Sequence, residues 1–155
     1  MLSQRSMHYF RRIAELVLAP VVADDRVHIK RVATAQAASF VKIAVETYRT
    51  GEDVIATCKP LLYEFRTYTS RTIALVKYHM EIESYIREAL APAPGRSVRR
   101  VDVYREEHQA RVIVERGTIA QFLGRKGMNA AVASKLTGYG LVLVDEADLG
   151  KTARA

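Results

Sequence analysis

The order of hydrophobic patterns along the 155 residues occurs twice, and this repeat limits the possible folds more than any other feature. In each half, an apolar stripe at helical spacing precedes two runs of alternating apolar residues. Two short helical stretches and a last apolar strand then follow, with glycine or proline between the patterns. The sequence therefore predicts two copies of one α+β fold, each a three-stranded sheet with helices on one face.

The first copy begins with a helix at residues 5–18, because Tyr9, Ile13, Leu16 and Val17 recur at helical spacing. Pro20 is expected to end this helix, since proline disfavours a helical residue before it. The rest of the pattern predicts strands at 26–33 and 39–46, a short helix that ends at Lys59-Pro60, a second helix at 61–69 and a strand at 71–77.

The second copy repeats this order after the Pro92-Ala93-Pro94-Gly95 break. We place one domain at residues 1–90 and the other at 91–150, with the helix at 80–90 as the first helix of the second domain. Residues 151–155 are expected to form a flexible tail. The predicted elements are strands at 98–104 and 110–115, helices at 117–123 and 128–136, and a strand at 141–144.

The chain is basic, with a formal net charge of +7 and a sequence pI of about 9.7. Residues 96–155 hold 11 Lys and Arg against 7 Asp and Glu, so the second copy is the more basic part. Both copies also show apolar patterns, so the charge belongs to folded domains and not to a tail. Such a balance is typical of proteins that bind nucleic acids, although small basic proteins with other functions share it.

Several classes of function are excluded or disfavoured. A single cysteine, Cys58, rules out an intramolecular disulfide and a multi-cysteine zinc site, and suits the cytoplasm. No stretch approaches the roughly 18 apolar residues of a membrane span, so no membrane partner is expected. The sequence shows no pairing of acidic, histidine or nucleophilic residues at catalytic spacing. We therefore expect a non-enzymatic protein without cofactor or metal.

The glycine pair Gly124 and Gly127 encloses two basic residues, Arg125 and Lys126. An apolar helix ending at Leu123 precedes this loop, and a helix with one apolar face follows it. Glycine has no Cβ, so a nucleic-acid backbone can approach closely and positive φ angles are accessible. The start of the following helix adds N–H groups and the positive end of its dipole, which attract phosphate. The loop therefore predicts a phosphate-binding site for a nucleic acid.

Other phosphate loops fit this spacing poorly. A Walker loop needs four residues between its glycines and a following Lys-Ser or Lys-Thr, and a dinucleotide fingerprint needs a third glycine. A simple helix-turn-helix connection that requires glycine for its turn is the plain structural alternative. Two cations at the tip of a G-x-x-G loop between helices favour the KH domain, which clamps about four nucleotides of a single strand.

Nine residues are expected to contact RNA. Asn129 has two interpretations, because its side chain can donate to RNA or cap the helix start. Arg100 belongs to a basic group near the joint at 91–97, which either contacts RNA or forms a solvated face. The predicted RNA-binding residues are Leu123, Gly124, Arg125, Lys126, Gly127, Met128, Asn129, Lys135 and Arg100.

Residues 111–146 resemble the second KH domain of the NusA family of bacterial transcription factors. That domain carries a similar run of apolar helix, Gly-x-x-Gly-x-Asn, and Leu-Thr-Gly before its last strand. The similarity to the family's first KH domain and joining helix is weaker, over residues 26–33, 41–45 and 82–93. The matching positions are Leu123, Gly124, Gly127, Asn129, Ala133, Leu136, Thr137 and Gly138.

The resemblance implies two tandem type II KH-like domains that bind single-stranded RNA. It further implies a cytoplasmic protein that modulates transcription elongation, termination or antitermination, with RNA polymerase or other transcription factors as partners. Alternatively, the same loop could bind ribosomal RNA in a ribosome- or RNA-processing-associated protein. A protein-interaction adaptor is the third alternative, and the intact glycine loop with its two cations argues against it.

The first copy departs from the family because it has no glycine loop. The corresponding stretch, residues 58–63, contains Leu61 and Leu62 where small residues would be needed for close approach of a sugar-phosphate backbone. We therefore expect the first copy to be a docking or scaffold half. Three aromatic residues follow, Tyr63, Phe65 and Tyr68, which could stack on bases, fill the core or form a protein-binding surface.

Overall fold

The computed structural model describes residues 4–149, with side chains from residue 7 onward; the flexible tail expected at 151–155 lies outside these residues. The chain divides into two compact units between His79 and Met80. The boundary expected at 90/91 therefore lies inside the second unit. The helix expected at 80–90 lies in that unit.

The first unit is a three-stranded sheet in the order β1-β2-β3, with helices on one face. β1 and β2 are antiparallel, whereas β2 and β3 are parallel. Ile13, Val17, Val41 and Ile43 belong to a buried core cluster that contains residues of α1 and β2. The elements are α1 (Gln4–Val17), α2 (Ala19–Val22), β1 (His28–Ala33), β2 (Phe40–Glu46), α3 (Val54–Cys58), a 3-10 helix (Lys59–Thr67) and β3 (Thr72–Lys77).

The second unit repeats this topology, with an antiparallel β4-β5 pair and a parallel β5-β6 pair. Two tandem α+β domains with three-stranded sheets, as predicted from the repeat, are confirmed. The elements are α4 (Ile82–Ala89), a 3-10 turn (Gly95–Ser97), β4 (Val98–Tyr104), β5 (Gln109–Val114), α5 (Ile119–Leu123), a 3-10 turn (Arg125–Gly127), α6 (Met128–Thr137), β6 (Gly140–Asp145) and a 3-10 turn (Glu146–Asp148).

Both units carry an irregularity at the same place in their first strand. The pairing register shifts between Ile29 and Arg31 in β1, and between Val98 and Arg100 in β4. The residue skipped in each strand is exposed and basic, and so is the residue that follows it. Each sheet therefore has one bulged outer edge, β1 or β4, and one regular outer edge, β3 or β6.

Two predicted helix ends lie within about a residue of the observed ends, Val17 of α1 and Cys58 of α3, but helical structure resumes after both. Pro20 does not terminate helical structure but lies in the first turn of α2, where its missing N–H removes no helical hydrogen bond. Pro60 likewise occupies the first turn of the 3-10 helix, which follows α3 without a break. The predicted second helix at 61–69 is therefore a 3-10 helix continuous with α3.

Buried polar contacts fix α4 against α6 in the second unit. The Tyr85 hydroxyl donates to the Leu136 carbonyl oxygen at 2.9 Å, near the end of α6. Phe122, Val132 and Leu136 are fully buried and anchor α5 and α6 in the same core. The two helices on either side of the Gly124–Gly127 loop are thus held by the domain interior.

Candidate nucleic-acid interface

The loop Gly124–Gly127 makes a tight left-handed turn between α5 and α6. Gly124 has φ 72° and ψ 179°, Gly127 has φ 73° and ψ 9°, and Lys126 has φ 56° and ψ 23°. The Gly127 N–H donates to the Gly124 carbonyl oxygen at 3.0 Å and closes the turn. A non-glycine residue in the left-handed region costs about 1 kcal/mol, and such strain is concentrated at functional sites.

The two glycines are required for different reasons. A Cβ built on Gly124 would lie 2.6 Å from the Cβ of Asn129 and 3.1 Å from its backbone nitrogen. A Cβ on Gly127 would meet nothing within 4 Å. Gly124 is therefore needed for close packing inside the domain, whereas Gly127 is needed for its positive φ and leaves open space beside the turn.

Arg125 and Lys126 stand exposed at the tip of the turn. The N–H groups of Gly127 and Met128 already donate within the turn, to the carbonyl oxygens of Gly124 and Arg125. The two side-chain cations therefore present the charge to a ligand, and the ten-residue helix α6 adds the positive end of its dipole. The arrangement suits a phosphate group that approaches from solvent.

Three more predicted residues lie around the turn. Leu123 is 39% exposed at the end of α5, and Met128 is half-buried at the start of α6. Lys135 is exposed and follows Met128 by seven residues, or about two helical turns, so both lie on one face of α6. Met128 and Lys135 thus share one face of α6, and Leu123 lies directly before the turn.

Asn129 points into the domain. It is 7% exposed, and its Nδ2 donates to the Leu90 carbonyl oxygen at 2.9 Å and to the Phe122 carbonyl oxygen at 3.0 Å. This corrects both expectations for its amide group, donation to RNA and capping of the helix start. The matching Gly-x-x-Gly-x-Asn run indicated that Asn129 matters, but spacing alone did not reveal which way its side chain points.

Arg100 also differs from the expectation, because the structure does not bring it to the loop. It lies on β4, against which α4 packs, whereas α5 and α6 pack against β6 at the other edge of the sheet. Its guanidinium donates to both carboxylate oxygens of Asp102, at 2.8 and 3.2 Å, and Arg111 donates to the same carboxylate at 3.2 Å. Partial burial raises the pKa of Asp102, but these hydrogen bonds and charges outweigh it and hold the pKa below its ordinary value.

The first copy shows no counterpart of the turn in residues 58–63, where the 3-10 helix continues directly from α3. Cys58 is buried, and burial raises the pKa of its thiol to about 11, so it is a packed, unreactive side chain. Of the three aromatic residues, Phe65 is in the core, whereas Tyr63 and Tyr68 are 68% and 41% exposed.

A groove of about 510 Å³ lies between the 3-10 helix and β3 of the first unit. Tyr63 and Phe65 contribute aromatic surface, Arg66 and Arg71 contribute positive charge, and Ile73 lies in the edge strand. No carboxylate lines this groove. The first copy therefore keeps a groove beside its regular edge strand although it lacks the glycine turn.

Residues 4–149 contain neither a cluster of metal ligands nor a membrane-spanning helix. In this part of the chain, no group of three or more His, Cys, Asp or Glu residues is placed to hold a metal ion. None of its helices is both long and apolar enough to cross a membrane.

A known protein family and several known proteins are similar in sequence to this chain. Residues 82–151 match the family of NusA-like second KH domains. The transcription termination/antitermination protein NusA of Halalkalibacterium halodurans is 28% identical over 153 residues, which cover 96% of this chain and 39% of that protein. NusA of Bacillus subtilis is 27% identical over 89% of this chain and 37% of its own length, so the chain spans under two fifths of these relatives.

A solved structure has a similar fold. The crystal structure of APE1850 superposes with a TM-score of 0.54 at 15% sequence identity, and the match covers 83% of this chain and 96% of that one. At this level of identity the similarity concerns the fold alone. It extends over both units, since neither unit by itself makes up 83% of the chain.

Proposed function

We propose that this chain carries a NusA-like tandem KH region, with its second KH domain in the matched residues 82–151, and that it binds single-stranded RNA. The observation that carries the proposal is the exposed Arg125-Lys126 pair at the tip of a left-handed glycine turn between two anchored helices. Such a turn clamps about four nucleotides of backbone in KH domains. Leu123, Met128 and Lys135 extend the contact surface, while Asn129 and Arg100 are left out of it.

We propose that this RNA binding modulates transcription elongation, termination or antitermination in the cytoplasm. The relatives with similar sequence are named as termination/antitermination proteins, and the chain covers only part of their length. A single KH clamp on about four nucleotides is weak and poorly selective. A second contact, to a protein, would raise the effective concentration of the clamp at the correct RNA.

The first copy is proposed to make that second contact. Its groove is lined by Tyr63, Arg66 and Arg71 without a carboxylate, and it has no glycine turn to admit a phosphate backbone. RNA polymerase or another transcription factor is the proposed partner of this surface. The proposal assigns RNA to the second copy and protein to the first.

Salt dependence tests the RNA contact directly. If Arg125, Lys126 and two or three other cations meet phosphates, log affinity for a single-stranded RNA oligonucleotide should fall with log salt at a slope of about −3. Lys126→Gln should flatten this slope by roughly one contact. Arg105→Gln, in the exposed turn between β4 and β5, is the matched control and should leave the slope unchanged. An affinity independent of salt, or a preference for duplex RNA, would contradict the proposal.

An in vitro elongation assay tests the process. Added to bacterial RNA polymerase on a template with a pause and a terminator, the chain should change pausing or termination efficiency. Tyr63→Ala/Arg66→Ala should reduce this effect at low protein concentration without changing RNA affinity, because it removes only the proposed protein contact. If the chain leaves elongation untouched and sediments with ribosomal subunits, the ribosome-associated alternative is the better interpretation.

A further inference from the structure

Asn129 connects three helices at the base of the loop. It is the second residue of α6, and its Nδ2 donates to the carbonyl oxygen of Phe122, near the end of α5. The same nitrogen donates to the carbonyl oxygen of Leu90, the residue that caps α4. Carbonyls at helix ends lack an intrahelical partner, and this one amide group donates to two of them in the domain interior; the Leu90 carbonyl oxygen accepts from the Ala93 N–H as well, at 3.1 Å. The start of α6 is thereby fixed to the ends of both α4 and α5.

The chemistry of the site favours asparagine over other residues. A carboxamide NH₂ group has two protons to donate, and here two carbonyl oxygens lie within 3.0 Å of it. Aspartate has the same shape but would direct a carboxylate at two carbonyl oxygens. Serine is shorter and has a single proton to donate.

The contact of Asn129 with Gly124 links this side chain to the turn itself. The space where Gly124 would carry a Cβ is occupied by the Cβ and backbone nitrogen of Asn129, at 2.6 and 3.1 Å. Gly124 opens the turn and Asn129 lies just after it, so the two residues flank the segment 125–128, which includes both loop cations. A shift of Asn129 would therefore change the direction in which the loop cations point.

We propose that Asn129 is a positioning residue, which holds the Gly124–Gly127 turn in the shape that receives phosphate without itself touching RNA. This inference rests on the proposed RNA binding and assigns a role to a residue of the same site. Tyr85 provides the comparison, because its buried hydroxyl donates to Leu136 at the other end of the same α4–α6 pair. If Asn129 only held the helices together, loss of its amide group and loss of the Tyr85 hydroxyl would affect stability, RNA affinity and the loop in similar ways.

The test compares Asn129→Ala with Tyr85→Phe in the full chain. For each variant we measure the melting temperature, the affinity for a fluorescently labelled single-stranded RNA oligonucleotide and the salt dependence of that affinity. The backbone amide NMR signals of residues 124–128 are recorded without RNA. Asn129→Ala should weaken RNA binding about five- to tenfold and flatten the salt slope by roughly one phosphate contact, because the cations lose their fixed direction. Its loop amide signals should shift or broaden. Tyr85→Phe should lower the melting temperature yet keep the loop signals and an affinity within about twofold.

Asn129→Ser, which keeps one donor, covers the case in which Asn129→Ala does not fold, and it should show an intermediate effect. Unchanged loop signals and affinity in a folded Asn129 variant would overturn the proposal. It would also be overturned if both Asn129 variants failed to fold while Tyr85→Phe folded, since Asn129 would then serve folding itself. If the unaltered chain bound no RNA, the proposed function would fail, whereas the NMR signals would still decide whether Asn129 positions the turn.

Discussion

Reversal of both loop charges, in the double variant Arg125→Asp/Lys126→Asp, will weaken binding of single-stranded RNA at least tenfold. Both side chains are exposed, and neither glycine is changed, so the fold is retained. Exposed substitutions of this kind usually change the free energy of unfolding by less than about 0.5 kcal/mol. Two carboxylates would then face the phosphates that two cations are proposed to meet, and the loss should appear mostly at low salt. Fluorescence anisotropy over a salt series, with thermal denaturation in parallel, measures both quantities.

A matched control separates this local effect from net charge. Arg96→Asp/Arg105→Asp changes the charge of the same unit by the same amount, at two exposed positions in the turns before β4 and after it. Its RNA affinity should fall much less, because it alters only the long-range attraction. Equal losses in the two double variants, or no loss in either, would disprove the assignment of the site to the loop.

Replacement of Gly124 by alanine will destabilise the second unit far more than replacement of Gly127. Both glycines have positive φ, but only Gly124 has a neighbour where the new methyl group must go, 2.6 Å from the Asn129 Cβ. We expect Gly124→Ala to lower the free energy of unfolding by at least about 2 kcal/mol, from backbone strain plus a forced shift of Asn129. Gly127→Ala should cost about 1 kcal/mol, since strain alone acts there.

Chemical denaturation measures the two losses, and Gly127→Asn completes the comparison. Asparagine adopts the left-handed conformation more readily than alanine, so Gly127→Asn should recover part of the loss seen for Gly127→Ala. The order of stability expected is Gly127→Asn, Gly127→Ala, Gly124→Ala, from highest to lowest. A Gly124→Ala variant as stable as Gly127→Ala would show that the packing against Asn129 is not tight.

The element order was predictable from the sequence because each unit buries one face of its sheet. Val41, Ile43 and Val45 alternate in β2 and lie in the core, as the period of two requires. The same rule fails for Lys42, which alternation places on the other face of the sheet, where a charged residue should be solvated. It is buried, and burial lowers the pKa of its ammonium group to about 8. Alternation identifies the face of a strand but not whether something covers it.

The location of the site in the chain was predictable from the sequence, but only some of the residues that form it were. The glycine spacing located the turn, because positive φ and close approach both depend on a missing Cβ. The inward direction of Asn129 depends on where the end of α4 lies, and Leu90 is 39 residues away in sequence. The pairing of Arg100 with Asp102 has a counterpart in the sequence, since residues two apart on a strand share a face. Opposite charges at that spacing indicate an ion pair as readily as a free cation.

The bulges in β1 and β4 have a consequence for self-association. An open strand edge is a template on which a strand of another molecule can continue the sheet, and it invites aggregation. Lys30 and Arg99 are the extra residues at the two bulges, so the ladder of hydrogen bonds is interrupted at both edges, and in β1 the exposed Lys30 and Arg31 would also repel an identical chain. Edge-to-edge polymerisation through β1 or β4 is thereby disfavoured in both units.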